Sequence, residues 1–260
     1  MTVCDLDRLV RIVPDVRKRI EMCPLPGRYL WEYIGYTCRR EKIVSTTVYL
    51  HEPEWLTTGE SRRQREAVIS CLRRVLGRSF HEEVFMPEGK LVRIDPSFKL
   101  SDTPLRLRLE IFYNLSLETR GRDYLFFLAK LVFGDVRAAA FVESAGDSVL
   151  PYHVALTFDG ESGRFIELKF YRKQAGDSGA FSGETFSSDC KLLVRKDYSP
   201  SSLGVIKAGA QCSAPVSSKL LKEFGLSMKY VAMENGSPGK PEAVKYYFFN
   251  ERWKDGKSGL

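Results

Sequence analysis

The segment Leu105 to Tyr113, LRLRLEIFY, places Leu105, Leu107, Leu109 and Ile111 on one side of an extended chain and Arg106, Arg108 and Glu110 on the other. Successive side chains of a strand point to opposite faces, so this alternation calls for a sheet with one face against an apolar layer and one face that accepts charge. The same period recurs in FIELKFYR, where Glu167, Lys169 and Tyr171 share a face. The charged faces are read as solvent-facing.

Around these strands the chain alternates between periods. PGRYLWEYIGYTCRREK reads as a helix opened by Pro26 and Gly27, and IVSTTVYLH follows as a β-branched strand. Glu60 to Arg78 carries Ala67, Val68, Cys71, Leu72, Val75 and Leu76 at spacings of three and four, an amphipathic helix whose other face holds Arg62, Arg63, Arg65, Arg73, Arg74 and Arg78. A hairpin is expected around Pro87 to Gly89, a helix over RDYLFFLAKLVF, and a second helix over RAAAFVESAGD. YHVALTFDGESGRFIELKFYR reads as a hairpin turning at Asp159 to Gly163, CKLLVRKDY and LGVIKAGAQ as strands, and APVSSKLLKEFGL as a helix. The aromatic run Tyr246 to Phe249 is expected on a short edge strand before a polar tail.

Composition narrows the class. The 260 residues contain no apolar run long enough to span a bilayer, and charges interrupt the N-terminal stretch MTVCDLDRLVRIVPDVRKR, so no export signal or anchor is expected. Six scattered cysteines and three dispersed histidines lack zinc-site spacing, which fits reduced thiols inside a cell. The net charge of +7 favours a polyanionic partner.

RAAAFVESAGD, Arg137 to Asp147, resembles the LAGLIDADG motif of homing endonucleases, and YIGYTCRRE, Tyr33 to Glu41, aligns Gly35 with the small residue of a second copy about one hundred residues earlier. The resemblance implies an α/β (α+β) fold of two similar αββαββ-type halves, with curved antiparallel sheets and a central helix pair meeting at Gly35, Ala139 and Ala140. Its boundaries would be an extension over 1–27, repeats over 28–133 and 134–235, and a strand with polar tail over 236–260. In that family an acid ends each motif helix and holds the metal; here those positions carry Arg40 and Ala145. A monomeric, catalytically degenerate protein that binds nucleic acid, in first place duplex DNA, and needs no cofactor is therefore expected. Arg93, Arg106, Arg108, Lys169, Arg172, Lys191, Arg195 and Lys196 would form the nucleic-acid-binding surface.

Other readings remain open. Asp159, Glu167 and Lys169 resemble the D...ExK core of PD-(D/E)XK nucleases, which implies Mg2+ held by Asp159 and Glu167 in an active endonuclease. His153 with Tyr230 resembles, in part, a rolling-circle replication initiator, although Pro151 stands where a second histidine belongs. A protein-interaction domain without nucleic acid is the last alternative, and RAAAFVESAGD is then a plain core helix with a glycine-containing cap.

Overall fold

Strand β2 (Arg28–Arg39) pairs antiparallel with β3 (Lys42–His51) on one side and with β11 (Pro241–Asn250) on the other, and this double pairing closes a ten-stranded antiparallel barrel. The computed structural model describes residues 1–40, 42–52, 58–86, 93–100, 106–112, 121–145, 153–159, 162–173, 180–200, 218–235 and 241–253. From β3 the wall continues through β4 (Arg93–Lys99), β5 (Arg106–Phe112), β6 (His153–Asp159), β7 (Phe165–Lys173), β8 (Phe181–Ser187), β9 (Leu192–Pro200) and β10 (Leu226–Asn235) to β11. A short β1 (Thr2–Cys4) adds in parallel to the start of β2, beside the stretch that β11 does not reach. At the seam, Asn250 Nδ2 donates to the Trp31 carbonyl at 3.0 Å while its Oδ1 accepts from Arg8 at 2.5 Å.

The two ends differ. The connections between β2 and β3, β6 and β7, and β8 and β9 are short and lie at one end. At the other end the connections carry the helices: α3 (Thr58–Leu76) and α4 (Glu82–Phe85) between β3 and β4, α5 (Gly121–Phe133) and α6 (Asp135–Ala145) between β5 and β6, and α7 (Ser218–Glu223) between β9 and β10. α1 (Leu6–Ile12) and α2 (Val16–Met22) precede β2.

These helices supply the apolar layer that the strand alternation requires. Leu107 and Leu109 of β5, Leu156 and Phe158 of β6, and Leu168 and Phe170 of β7 are buried against α3, α5 and α6 through Leu72, Leu128, Phe141 and their neighbours. On the far side, Ile34, Val48, Val231 and Phe248 pack beneath Leu9, Val16 and Ile20 of α1 and α2. The outer faces of the strands are thus the apolar ones, and the charged faces line the lumen.

This architecture overturns the LAGLIDADG resemblance and the αββαββ halves that it implied. Among the described residues there is no central helix pair. The stretch read as a helix from Pro26 is strand β2, whose outer face lies under α1 and α2 and whose inner face looks into the barrel. Burial on both faces erases a period-two signal, and Tyr29, Trp31, Tyr33 and Tyr36 are residues that favour strands. Gly35 consequently stands on a barrel strand. Arg40 lies in the β2–β3 turn with φ of 45°, and α6 presents Ala139 and Ala140 to solvent while Ala138, Phe141 and Val142 face inward. The aromatic run Tyr246 to Phe249 is flanked by β10 and β2, so it lies in the wall and not on an edge.

The expected helices over Glu60 to Arg78, RDYLFFLAKLVF and RAAAFVESAGD, the strand IVSTTVYLH and the Asp159 to Gly163 hairpin appear as α3, α5, α6, β3 and β6–β7. The expected hairpin at Pro87 to Gly89, the strand LGVIKAGAQ, Pro151 and Cys212 lie outside the described residues. No described helix is long and apolar enough to cross a membrane.

Candidate functional site

One pattern organises the lumen. The five strands that run in the same direction each carry an inward pair two residues apart: Thr47 and Tyr49, Arg108 and Glu110, Lys169 and Tyr171, Lys196 and Tyr198, Lys245 and Tyr247. Each strand between them answers with one small residue. Ser97 lies opposite Tyr49 and Arg108, Ala155 opposite Glu110 and Lys169, Gly183 opposite Tyr171 and Lys196, Ala232 opposite Tyr198 and Lys245, and Gly35 opposite Tyr247 and Thr47. The circuit returns to its start, so the lumen is built from five repetitions of one hairpin.

The small residues are a steric requirement. A methyl group on Gly183 would stand 2.9 Å from Lys169 Cε and 3.1 Å from Tyr198 Cε2, and one on Gly35 would overlap Lys245 Cε. Long polar side chains can cross the barrel only where the neighbouring strand withdraws.

The first members of the pairs form a basic chamber of about 420 Å³ at the end with the short connections. Its wall holds Arg108, Lys169, Lys196 and Lys245, with Arg39, Lys99 and Arg106 nearer the mouth, against two acids, Glu167 and Glu234. Both acids are engaged: Arg108 Nη2 lies 3.2 Å from Glu167 Oε2, and Lys196 Nζ lies 2.5 Å from Glu234 Oε1. Thr47, Thr157, Thr185, Ser45 and Ser97 fill the wall with hydroxyls, and the buried Ser97 Oγ has no hydrogen-bond partner among the described residues. Clustered cations with hydroxyls between them suit a small, multiply charged oxyanion.

The second members bound a chamber of about 290 Å³ lined by Tyr33, Tyr49, Tyr171, Phe181, Tyr198, Tyr230 and Tyr247, with Glu32, Asp95, Glu110 and Arg93 at its side. The Phe181 and Tyr198 rings stack at 4.3 Å, and Tyr198 meets Tyr247 at 5.6 Å. Asp95 also receives His51 Nδ1 at 2.9 Å.

Between the chambers the two sets of side chains interlock. Lys169 Nζ donates to Tyr171 Oη at 2.8 Å and Tyr198 Oη at 2.7 Å, and Lys245 Nζ donates to Thr47 Oγ1 and Tyr49 Oη, both at 2.9 Å. Tyr171 Oη in turn donates to Glu110 Oε2 at 3.3 Å and Oε1 at 3.5 Å. Lys169 Nζ sits 4.1 Å from the centre of the Tyr171 ring, and Lys245 Nζ sits 5.1 Å from both the Tyr49 and Tyr247 ring centres. The rings therefore already offer their faces to positive charge.

Burial sets the titration of this layer. It pushes Lys169 and Lys245 well below the usual lysine range, helped by their cationic neighbours, and lowers Lys196 as well. Burial disfavours the charge of Arg108 too, yet Glu110 and Glu167 together raise it overall. Tyr171, Tyr198 and Tyr247 are raised well above the usual phenol value, chiefly by burial, and Tyr49 is pushed up to about 12. Burial and neighbouring cations both disfavour the charge of these lysines, and an anion among them would favour it.

The eight cations expected to bind nucleic acid do not share one surface. Arg106, Arg108, Lys169 and Lys196 face the basic chamber, and Arg93 faces Asp95 at 3.1 Å beside the aromatic one. Arg195 projects outward near Glu184, Lys191 pairs with Asp189 in the β8–β9 turn, and Arg172 is on β7 opposite Ser182. The barrel encloses the central cations in a cavity far too small for a duplex, so the nucleic-acid-binding role assigned to them is corrected. Asp159 and Glu167 serve different partners: Asp159 Oδ1 accepts from the Ser162 amide in its own turn, while Glu167 pairs with Arg108. Among the described residues no group of three metal-ligating side chains occurs. Tyr230 lines the aromatic chamber, and His153 opens β6 opposite Tyr171.

The residues missed in the sequence are Tyr49, Glu110, Tyr198, Lys245 and Tyr247. A signal was present: Lys169-Phe-Tyr171, Lys196-Asp-Tyr198 and Lys245-Tyr-Tyr247 repeat one lysine-x-tyrosine unit on three strands of the same direction.

No protein-family model matches the sequence, and no curated protein matches it. Among solved structures, the crystal structure of AnaPT from Neosartorya fischeri is similar over 85% of this chain and 78% of that chain, with a TM-score of 0.48 and 10% sequence identity.

Proposed function

We propose that the chain is an enzyme that takes an allylic diphosphate ester, ionises it inside the barrel, and transfers the allylic group to an electron-rich acceptor. The observation that carries this reading is the stacking of a cation layer on a tyrosine layer, with β7, β9 and β11 each contributing a lysine to the first and a tyrosine to the second. Heterolysis of the allylic C–O bond of the trianionic ester creates two charges at once, a fourth negative charge on the departing diphosphate and an allylic cation. Arg108, Lys169, Lys196 and Lys245 meet the first, and the faces of Tyr49, Tyr171, Tyr198 and Tyr247 meet the second. The closed wall keeps bulk water from quenching the cation before the acceptor does.

The acceptor occupies the aromatic chamber, where stacking favours a flat ring and Glu110 is placed to accept a proton. The charge neutralisation that a divalent ion often provides for a diphosphate comes here from side chains. The test is incubation with dimethylallyl diphosphate and a panel of indoles and phenols, following pyrophosphate release and the mass of the alkylated acceptor, with and without chelator. The expected result is acceptor alkylation that persists with chelator. Failure to bind inorganic pyrophosphate in the submillimolar range by calorimetry, together with no release from the ester, would overturn the reading.

A further inference from the structure

The two chambers are joined by a continuous line of hydrogen bonds: Lys169 Nζ donates to Tyr171 Oη at 2.8 Å, and Tyr171 Oη donates to the Glu110 carboxylate at 3.3 and 3.5 Å. All three side chains are buried, and Lys169 lines the basic chamber while Glu110 and Tyr171 line the aromatic one. We propose that Glu110, Tyr171 and Lys169 form a proton relay that carries the proton lost by the acceptor to the departing diphosphate. The inference rests on the transfer reaction proposed above and adds to it a coupling between its two half-reactions.

The bookkeeping of atoms is closed. As the allylic C–O bond breaks, its electron pair stays on the diphosphate oxygen, and the Lys169 ammonium gives that oxygen a proton and becomes an amine. The acceptor forms its bond to the allylic carbon, and the proton on its attacking atom passes to Glu110. Glu110 then donates to Tyr171 Oη, whose own proton moves to the Lys169 amine. Glu110 ends as carboxylate, Tyr171 as phenol and Lys169 as ammonium, the arrangement of donors seen in the structure. The net reaction is ester plus acceptor giving alkylated acceptor plus monoprotonated diphosphate.

The surroundings suit each member to its part. Burial lowers Lys169, so its ammonium parts with a proton readily, and burial raises Tyr171, so the phenol hands a proton on without resting as phenolate. Tyr198 receives the other Lys169 hydrogen bond but no bond to Glu110, so it holds Lys169 without completing the line. The Tyr171–Glu110 step, at 3.3 Å, is longer than the 2.8 Å step from Lys169 to Tyr171.

Water can replace the acceptor, so hydrolysis of dimethylallyl diphosphate alone tests the relay. Tyr171→Phe keeps the ring and removes the relay oxygen. We expect kcat for pyrophosphate release to fall about tenfold or more, with inorganic pyrophosphate affinity and donor KM changed by less than about twofold. Glu110→Gln should give the same loss, and the double variant no further loss, because one broken line cannot be broken twice. Tyr198→Phe should retain more activity than Tyr171→Phe. Turnover of Tyr171→Phe at the wild-type rate, equal losses in the two phenylalanine variants, or additive losses in the double variant would each overturn the relay while leaving the transfer reaction standing. A wild type that releases no pyrophosphate from the ester, with or without the acceptor panel, would instead remove the reaction itself.

Discussion

Gly35 and Lys245 compete for one space: a methyl group on Gly35 of β2 would overlap Cε of Lys245, which reaches across from β11 to Thr47 and Tyr49 on β3. Gly35→Ala is therefore expected to displace the lysine and destabilise the barrel by about 1 to 3 kcal/mol, the usual range for overpacking. Thermal unfolding reads the stability, and inorganic pyrophosphate binding reads the lysine. An unchanged melting temperature and unchanged affinity would mean that Lys245 does not cross Gly35.

Lys196 and Glu234 test the price of an uncompensated charge. Both are mostly buried, and they meet at 2.5 Å, with Arg39 a more distant 3.8 Å from the same carboxylate. Burial works against the charge of Glu234, but Lys196 above all holds it below the usual carboxylate range. Lys196→Met is expected to cost about 3 kcal/mol by stranding the acid, and Lys196→Met with Glu234→Leu should recover much of that loss. Chemical denaturation of the two variants and the wild type makes the comparison; equal stability of both variants would show that the pair is not coupled.

The buried lysines set a pH dependence of definite sign. Their folded-state pKa values lie below the unfolded value of about 10.4, so the unfolded chain binds more protons between the two. Stability of the empty barrel should rise with pH from about 8 towards 9.5, and an anion that restores the lysine charge should stabilise more at pH 8 than at 9.5. His51 has the opposite sign: its raised pKa contributes stability below about 6.5 that is lost as pH climbs through the folded value, which makes the higher window the cleaner one. Melting temperatures across that window, with and without pyrophosphate, should show a flatter slope in Lys169→Met. A slope that is the same in both proteins would place its origin elsewhere.

Helix α6 offers a contrast on a single turn. Ala138 is fully buried, whereas Ala140 is exposed. Ala138→Leu should overpack the interface and cost about 1 to 3 kcal/mol, while Ala140→Leu should stay within about 0.5 kcal/mol. Equal losses would mean that the small residues do meet another element.

The sequence made several elements legible for plain physical reasons. α3 and α5 show spacings of three and four because each buries one stripe on the barrel wall, and the β6–β7 hairpin shows through its Asp159 to Gly163 turn. β2 did not, since helices cover one face and the lumen packs the other. The alternation in LRLRLEIFY shows which residues share a face, and Arg106, Arg108 and Glu110 do so. The orientation of that face is the reverse of the solvent-facing one that the alternation suggests. In an open sheet the charged side meets solvent, but a closed barrel turns that side inward, and closure depends on β2 meeting β11 across more than two hundred intervening residues. Nothing local in either strand announces that pairing. The lysine-x-tyrosine repeat was the trace of it, visible once the strands carrying it are seen to run in one direction.

That seam also governs when the site comes into being. During synthesis β2 can zip to β3 at once, but its other edge stays open until β11 has left the ribosome, because Tyr33 to Cys38 are reserved for Val244 to Phe249. Until then the nascent chain carries a long unsealed strand edge, the kind of surface that invites wrong partners, and a topology dominated by distant pairings closes slowly. Lys245 and Tyr247 arrive on the same strand that seals the wall. A half-made or clipped chain lacking β11 has neither the closed wall nor the Lys245 and Tyr247 side chains that line the two chambers, so the chambers are complete only when the last strand is in place.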